Sequence, residues 1–466
     1  MINGVNPVLD ISREEPASIT GSGCLRCPGA VLLAVLAVLP LCIPERGSSA
    51  PKNRGAERWI GTWATAAQQG VPGHFQTFRN QTLRLIVHVS VGGSRVRIKV
   101  SNSFGDEPLI VGAAHIARRA AAAQIDTASD RTLTFGGKTS IQVDARTMVT
   151  SDPVDLDVPA LSDLAISLFL PGATVATTSH DLSLQTNYVS SETGNFAAAT
   201  DFPTAKTIVH WPFLTGVDVT ASPGGAAIVA FGSSLTDGDG STKDINRRWP
   251  DVLAERLQKN ADGKAEFGVL NEGIIGNRLL SDSNSPGQSG GPPPLGPVFE
   301  QLGPVLGEAG LTRFERDVLA QAGVKYVILA LGVNDILFPG SFIPATQNVD
   351  VQSFISGYRQ LITRAHKRKV RVIGSTIPPF EHAIFRDPYF DRFYSPEKER
   401  LRQEVNAWIR RSGEFDGVID FDEVVRDSGH ATQLLPTFDS GDHLHVNDAG
   451  NVAQGNAIPL TLFHGK

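Results

Sequence analysis

Cysteine is nearly missing from this chain of 466 residues: there are three, Cys24, Cys27 and Cys42, all before residue 43. Past that point the sequence can build no disulfide framework, no thiolate metal site and no cysteine nucleophile. Basic runs with interleaved aromatics are also missing. With a formal net charge of −6, the chain has no long-range attraction to nucleic acid or to an anionic membrane. No apolar run has the length of a comfortable membrane span, and the candidate that comes nearest is Ala30–Ile43. What is plentiful is ordinary core material. Apolar residues make up 41% and charged residues 19%, which excludes global disorder.

The apolar run Ala30–Ile43 follows Arg13 and Arg26 and precedes the small residues Gly47–Ala50. That is the layout of a secretory signal. Residues 1–50 are therefore expected to be a leader, and the remainder a secreted or periplasmic protein with no stable membrane span. Lipid attachment at Cys42 and an uncleaved anchor are the lesser alternatives. An exported protein without disulfides needs a large core, and this length allows two or three domains.

From Trp59 to about Thr220 the pattern is that of strands. Thr82–Ser90 and Ser94–Ser101 alternate around Gly92-Gly93, which reads as a hairpin. Thr132–Phe135, Ser140–Val143 and Leu164–Leu170 are further strand-like runs, and only the alanine-rich Ala113–Gln124 has helical period. Residues 59–220 are expected to form an all-β sandwich or jelly roll. Ala221–Gly225 punctuates the chain, and from residue 226 to 462 strands and helices alternate. Strand-like runs Ala226–Phe231, Phe267–Leu270, Val324–Leu331, Val370–Ser375 and Gly417–Phe421 are separated by helical segments Trp249–Gln258, Thr312–Ala322, Val351–Lys369 and Ser395–Ser412. Such alternation is that of an α/β domain, a doubly wound parallel sheet with helices on both faces.

Four short blocks fall at strand ends or in the loops beyond them, where ligands of such sheets bind. They are FGSSLTDG from Phe231, NEGIIGN from Asn271, LGVND from Leu331 and DHLHVND from Asp442. A serine hydroxyl is a weak nucleophile until a base takes its proton. Ser234 sits at a strand-to-helix turn that exposes a side chain and favours developing negative charge. Alone, GSSL is more often an ordinary turn or N-cap. His445 is the candidate base and Asp442 its orienter, because D-x-x-H lets one loop present both. Asp439 and Asp335 compete for the acid role, and His443 reads as a loop residue. An oxyanion needs donors aimed at one point. The candidates are the backbone amides of Ser234 and Gly276 and the side-chain amide of Asn334, against the blander readings of a turn glycine and a capping asparagine. Zinc on Asp442, His443 and His445 is the competing reading of the last block, although no HExxH or second histidine pair accompanies it.

In this order the blocks GSSLTDG, GIIGN, GVND and DHLH resemble blocks I, II, III and V of the SGNH (GDSL-type) hydrolase superfamily, over roughly Ala226 to Ile458. The resemblance implies a flavodoxin-like fold. It implies Ser234 as nucleophile, Gly276 and Asn334 as oxyanion donors and Asp442 and His445 as the rest of a triad, with no metal or organic cofactor. Ser233 stands where the family has Asp, and Val446 where a proline often follows the histidine. The strand-rich first half is similar to that of secreted two-domain bacterial members, including arylesterase-like acylhydrolases, chiefly at GTWATA from Gly61. The expected activity is hydrolysis of carboxylic esters, small or carried on polysaccharide. Two rivals stand beside it: a non-catalytic carbohydrate-binding or adhesive protein, and a metal-dependent hydrolase centred on Asp442, His443 and His445. The Pro/Gly-rich Ser281–Gly310 and the aromatic-rich Ile377–Tyr394 are expected to be loops, which the sharper reading makes walls of a substrate pocket.

Overall fold

Strand pairing changes from antiparallel to parallel at residue 226. The computed structural model describes residues 57–70, 76–191, 193–260, 266–283, 291, 296, 302–384 and 393–463. The expected leader lies outside them. So do most of the Ser281–Gly310 loop and Phe385, Tyr389 and Phe390 of the aromatic-rich one.

Before residue 226 two antiparallel sheets face each other. A seven-stranded sheet is built on Thr77–His88 and Asp163–Val175, paired from His88↔Asp163 to Thr77↔Val175. A five-stranded sheet carries Trp59–Ala64, Leu214–Thr220 and Gly93–Ser101. Alternate residues turn inward, as the pleat requires. Leu83, Leu85 and Val87 of one sheet meet Val96, Ile98 and Val100 of the other in a single core.

Two local expectations are corrected here. Thr77–His88 and Gly93–Ser101 belong to different sheets, so the chain arches over the core at Gly92-Gly93 instead of making a hairpin. The glycines answer to close packing. A Cβ on Gly92 would lie 2.5 Å from Val158 O, and one on Gly93 2.7 Å from Val219 Cβ. The alanine-rich segment is a strand, Ala113–Ala121, paired with Leu164–Phe169. Small side chains permit a helix, but Ile116 and Ala114 are buried in the sandwich and fix the extended form.

From residue 226 five strands form one parallel sheet. They are β1 (Ala226–Gly232), β2 (Phe267–Gly273), β3 (Val324–Ala330), β4 (Arg371–Ser375) and β5 (Gly417–Ile419), in the order β2-β1-β3-β4-β5. Every residue of β1 is buried, because helices cover both faces. Val229 and Phe231 turn to a core shared with Phe314, Phe354 and Tyr358. Ile228 and Ala230 turn to the other, with Trp249, Leu253 and Ile458. The helix Pro396–Arg411 starts as its sequence indicates, with Ser395 Oγ accepting from Lys398 N at 3.3 Å and Pro396 at its first position.

The sandwich and the parallel half are joined by hydrogen bonds. Gly61 N donates to Ala322 O at 2.9 Å, and Val269 N to Ser90 Oγ at 2.9 Å. Gly268 is required here, since a Cβ would lie 1.9 Å from Gly61 O. Among the described residues no helix is long and apolar enough to cross a membrane.

Candidate active site

The four blocks meet at the carboxyl ends of β1, β2 and β3. β1 ends at Gly232, and Ser234 opens a single helical turn, Ser234–Asp237. That turn needs Gly232, because a Cβ there would lie 2.0 Å from Thr236 Oγ1. β2 runs into a turn closed by Asn277 N donating to Ile274 O at 3.1 Å. Gly276 supplies the positive φ of 68° that its position demands. Beyond β3, Gly332 at φ 119° starts the turn Val333–Leu337, which carries Asn334.

Ser234 Oγ lies 2.8 Å from His445 Nε2. His445 Nδ1 lies 2.6 Å from Asp442 Oδ2. The other carboxylate oxygen, Asp442 Oδ1, accepts from the backbone amides of His445 at 2.8 Å and Leu444 at 3.0 Å. Ser440 Oγ adds a bond at 3.2 Å. Burial alone would raise the Asp442 carboxyl. The hydrogen bond and charge of His445, with the two amides, outweigh it and hold the group at about 2. Asp442 is therefore an anion throughout the neutral range, facing one imidazole nitrogen while the serine faces the other. Ser234 is 3% and His445 9% exposed, so the pair is screened from bulk water yet not sealed from it. Asp239 Oδ2 stands 3.9 Å from the same Nε2.

Asn334 is buried, and its Nδ2 donates to Asn277 O at 2.9 Å, tying the third block to the second. A primary amide carries two hydrogens, so this bond engages one of them. Asp335 is not beside the imidazole. It accepts from the amides of Leu279 at 2.7 Å and Leu280 at 2.9 Å, and burial pushes its carboxyl up to about 6. Asp439 bonds His443, with Oδ2 2.5 Å from Nδ1. The donors of the zinc reading thus point apart. His443 turns to Asp439, while both ring nitrogens of His445 are engaged by Asp442 and Ser234. Among the described residues no group of three His, Cys, Asp or Glu side chains could hold a metal.

Sequence reasoning missed Arg313. Its helix position, four residues from Asp317, reads as a solvent-exposed ion pair, yet the side chain is fully buried under the site. It donates to Gly232 O at 2.9 Å, Glu272 O at 2.9 Å and Asn277 Oδ1 at 3.0 Å, and stacks 4.1 Å over the Phe231 ring. One guanidinium thereby gathers the ends of β1 and β2 and the turn that follows β2. Ser233 is also buried, and its Oγ has no partner among the described residues. Of the aromatics in the second loop, Phe380 and Phe393 lie in the core beside Phe342 and Tyr358, so these two help build the sheet's cover.

Residues 228–458 match the family model described as GDSL-like Lipase/Acylhydrolase. No curated protein matches the chain. Among solved structures, the aryl esterase of M. smegmatis is 21% identical with a TM-score of 0.34, covering 50% of this chain and 95% of its own. A carbohydrate acetylesterase family member from Sinorhizobium meliloti is 16% identical with a TM-score of 0.36, over 50% of this chain and 94% of its own. A GDSL-like lipase from Bacteroides thetaiotaomicron VPI-5482 is 16% identical with a TM-score of 0.33, over 51% and 87%.

Proposed function

Residues 228–458 are a GDSL-like lipase/acylhydrolase domain of the SGNH superfamily, and on that premise we propose that Ser234, His445 and Asp442 hydrolyse carboxylic esters through an acyl-enzyme. The observation that carries the reading is the line from Ser234 Oγ through His445 to Asp442, with steps of 2.8 and 2.6 Å. Ser234 attacks the ester carbonyl carbon as its proton passes to His445 Nε2. Asp442, already an anion, steadies the imidazolium that forms. The amides of Ser234 and Gly276 and the remaining hydrogen of Asn334 Nδ2 hold the oxyanion. As the intermediate collapses, Nε2 returns the proton to the leaving alcohol. Water then attacks the acyl-serine by the same route in reverse, releasing the acid.

The substrate class we propose is an ester with a short acyl, aryl or sugar-acetyl group. The test is turnover of p-nitrophenyl acetate, butyrate and octanoate by wild type, Ser234→Ala and a chelator-treated sample. Activity lost with Ser234 and indifferent to chelator supports the proposal, and the chain-length trend sizes the acyl pocket. Activity abolished by chelator would transfer it to a metal. A folded protein that turns over none of the three would favour the carbohydrate-binding alternative, which has no use for the serine–histidine–aspartate line.

The layout of residues 1–50 supports export as the destination of the hydrolase. N-terminal sequencing of protein recovered outside the cytoplasm tests it, and an intact Met1 there would contradict it.

A further inference from the structure

The turn that presents the nucleophile, Ser234–Asp237, has four residues, too few for a helix to hold itself together. Its far end is held from outside. Asn271 Nδ2 donates to Thr236 O at 2.8 Å. Gly273 leaves room for the turn to settle on β2, since a Cβ there would lie 2.3 Å from Asp237 N. The remaining hold comes from the sandwich. His180 Nε2 lies 3.0 Å from Asp237 Oδ1, and each residue is 1% exposed.

The partners of this imidazole fix its protons. His180 Nδ1 lies 2.9 Å from Ala66 O, and a carbonyl only accepts, so Nδ1 carries a hydrogen. A carboxylate also only accepts, so a second proton must lie between Nε2 and Asp237 Oδ1. The pair is either imidazolium with carboxylate or imidazole with carboxylic acid. In both forms one proton joins the sandwich to the nucleophile turn.

His180 cannot swing away. Its backbone exchanges two hydrogen bonds with Trp211, at 3.1 and 3.0 Å, and its ring lies 5.9 Å from the indole. Trp211 is anchored in turn, with Nε1 donating to Ile86 O at 2.9 Å and its ring edge-on to Trp63 at 5.0 Å. A rigid line therefore runs from the sandwich core through Trp211 and His180 to Asp237, three residues from the nucleophile.

We propose that His180 is a positioning residue for Ser234, so that the hydrolase site is complete only with the sandwich in place. The proposal rests on the ester-hydrolase reading above. Without the imidazole, the buried Asp237 side chain has lost the partner of its Oδ1, and its Oδ2 has none among the described residues. A buried polar group left unpaired in this way makes the turn shift or draws in water. Either moves Ser234 Oγ relative to His445 Nε2, and a displacement of about 1 Å in reacting groups costs on the order of 10²-fold in rate.

The experiment measures kcat and KM for p-nitrophenyl acetate in full-length wild type, His180→Ala, His180→Gln and Asp237→Ala, with active sites counted by fluorophosphonate titration. Counting sites separates fewer folded molecules from a poorer site. Wild type is read first, and its failure to hydrolyse any ester would sink the hydrolase reading itself. With an active wild type, His180→Ala should lower kcat per titrated site by about 10²-fold with KM unchanged, because neither residue touches substrate. His180→Gln keeps an N–H for Asp237 and should recover most of the loss. If His180→Ala fails to fold, Asp237→Ala decides, and it should lower kcat per site with KM unchanged. Wild-type kcat per site in folded His180→Ala, or in Asp237→Ala, overturns the proposal. So does an equal loss in the Ala and Gln variants, which would make the effect one of shape and not of the hydrogen bond.

Discussion

The sandwich and the parallel-sheet half both bury many polar side chains, but they arrange them differently. In the sandwich they are dispersed and close loops. Arg84 binds Ser167 Oγ, Ala123 O and Ala197 O, and Asn102 gathers the carbonyls of Glu107 and Val143. In the parallel half one group serves structure in the same way, with Arg402 binding Glu399, Asp422 and Ile377 O, but another gathers at the carboxyl ends of β1, β2 and β3, where Asn277 binds Arg313 and Asn334 and Ser234 faces His445. Buried polarity therefore does not mark a site by itself, since any buried polar group must find a partner. What distinguishes the second group is one serine facing an imidazole that is backed by a carboxylate. A few sandwich residues reach across: Gln68 to Val305 O, Lys99 to Gln321 at 2.9 Å and His180 to Asp237 at 3.0 Å. Of these, His180 ends on the turn that carries Ser234.

The sharpest way to break this contrast is at the line through His445. Ser234→Ala and His445→Ala should each lower kcat by roughly 10⁴–10⁶, measured on an activated ester, while thermal unfolding stays near wild type. A comparable loss from Arg84→Lys in the sandwich would erase the distinction between the two halves. Asn334→Ala should cost about 10²–10³ in kcat. A change within about tenfold would take Asn334 out of the oxyanion hole.

Arg313→Ala sharpens the comparison on stability. It removes one buried donor from each of Gly232 O, Glu272 O, Asn277 Oδ1 and Asp317, and should destabilise by about 3–5 kcal/mol, read from denaturant unfolding. A surface-like effect below about 0.5 kcal/mol would contradict the clamp. The smallest effect is expected at His443, which bonds Asp439 and not the serine. His443→Ala should stay within about twofold of wild-type kcat, whereas a metal site on that loop would lose activity.

pH offers a further discrimination. The Asp442 carboxyl is depressed to about 2 in the fold, against an ordinary value of about 3.9. Its stabilising contribution is thus present above about pH 4 and fades as pH falls toward about 2. Loss of activity on acidification within the neutral range then does not come from Asp442, and with a histidine base kcat/KM should rise with pH there. A flat neutral profile would count against a histidine base.

The four blocks, both sheet types and the strand and helix runs of the parallel half were legible because each rests on local pattern. A buried parallel strand reads as a continuous apolar run such as Ala226–Phe231, and Ser395-Pro396 states its own helix start. What escaped depends on partners distant in sequence. Gly92-Gly93 reads as a hairpin until Val158 and Val219 show that the glycines serve close packing. Ala113–Ala121 has helix-forming residues, and its extended form comes from Leu164–Phe169 alongside it. The spacing of Arg313 from Asp317 points locally to an exposed ion pair, and His180 carries no local signature. Their roles lie in carbonyls and carboxylates that the fold brings from 36 to 114 residues away.

The central claim is that His445 and Asp442 activate Ser234 as a nucleophile. The most direct measurement is covalent capture: treat the protein with a fluorophosphonate and map the adduct by peptide mass spectrometry. The account expects one adduct, on Ser234, formed rapidly in wild type and lost in His445→Ala. An unmodified Ser234 in folded wild type, or labelling at equal rate without His445, would contradict it.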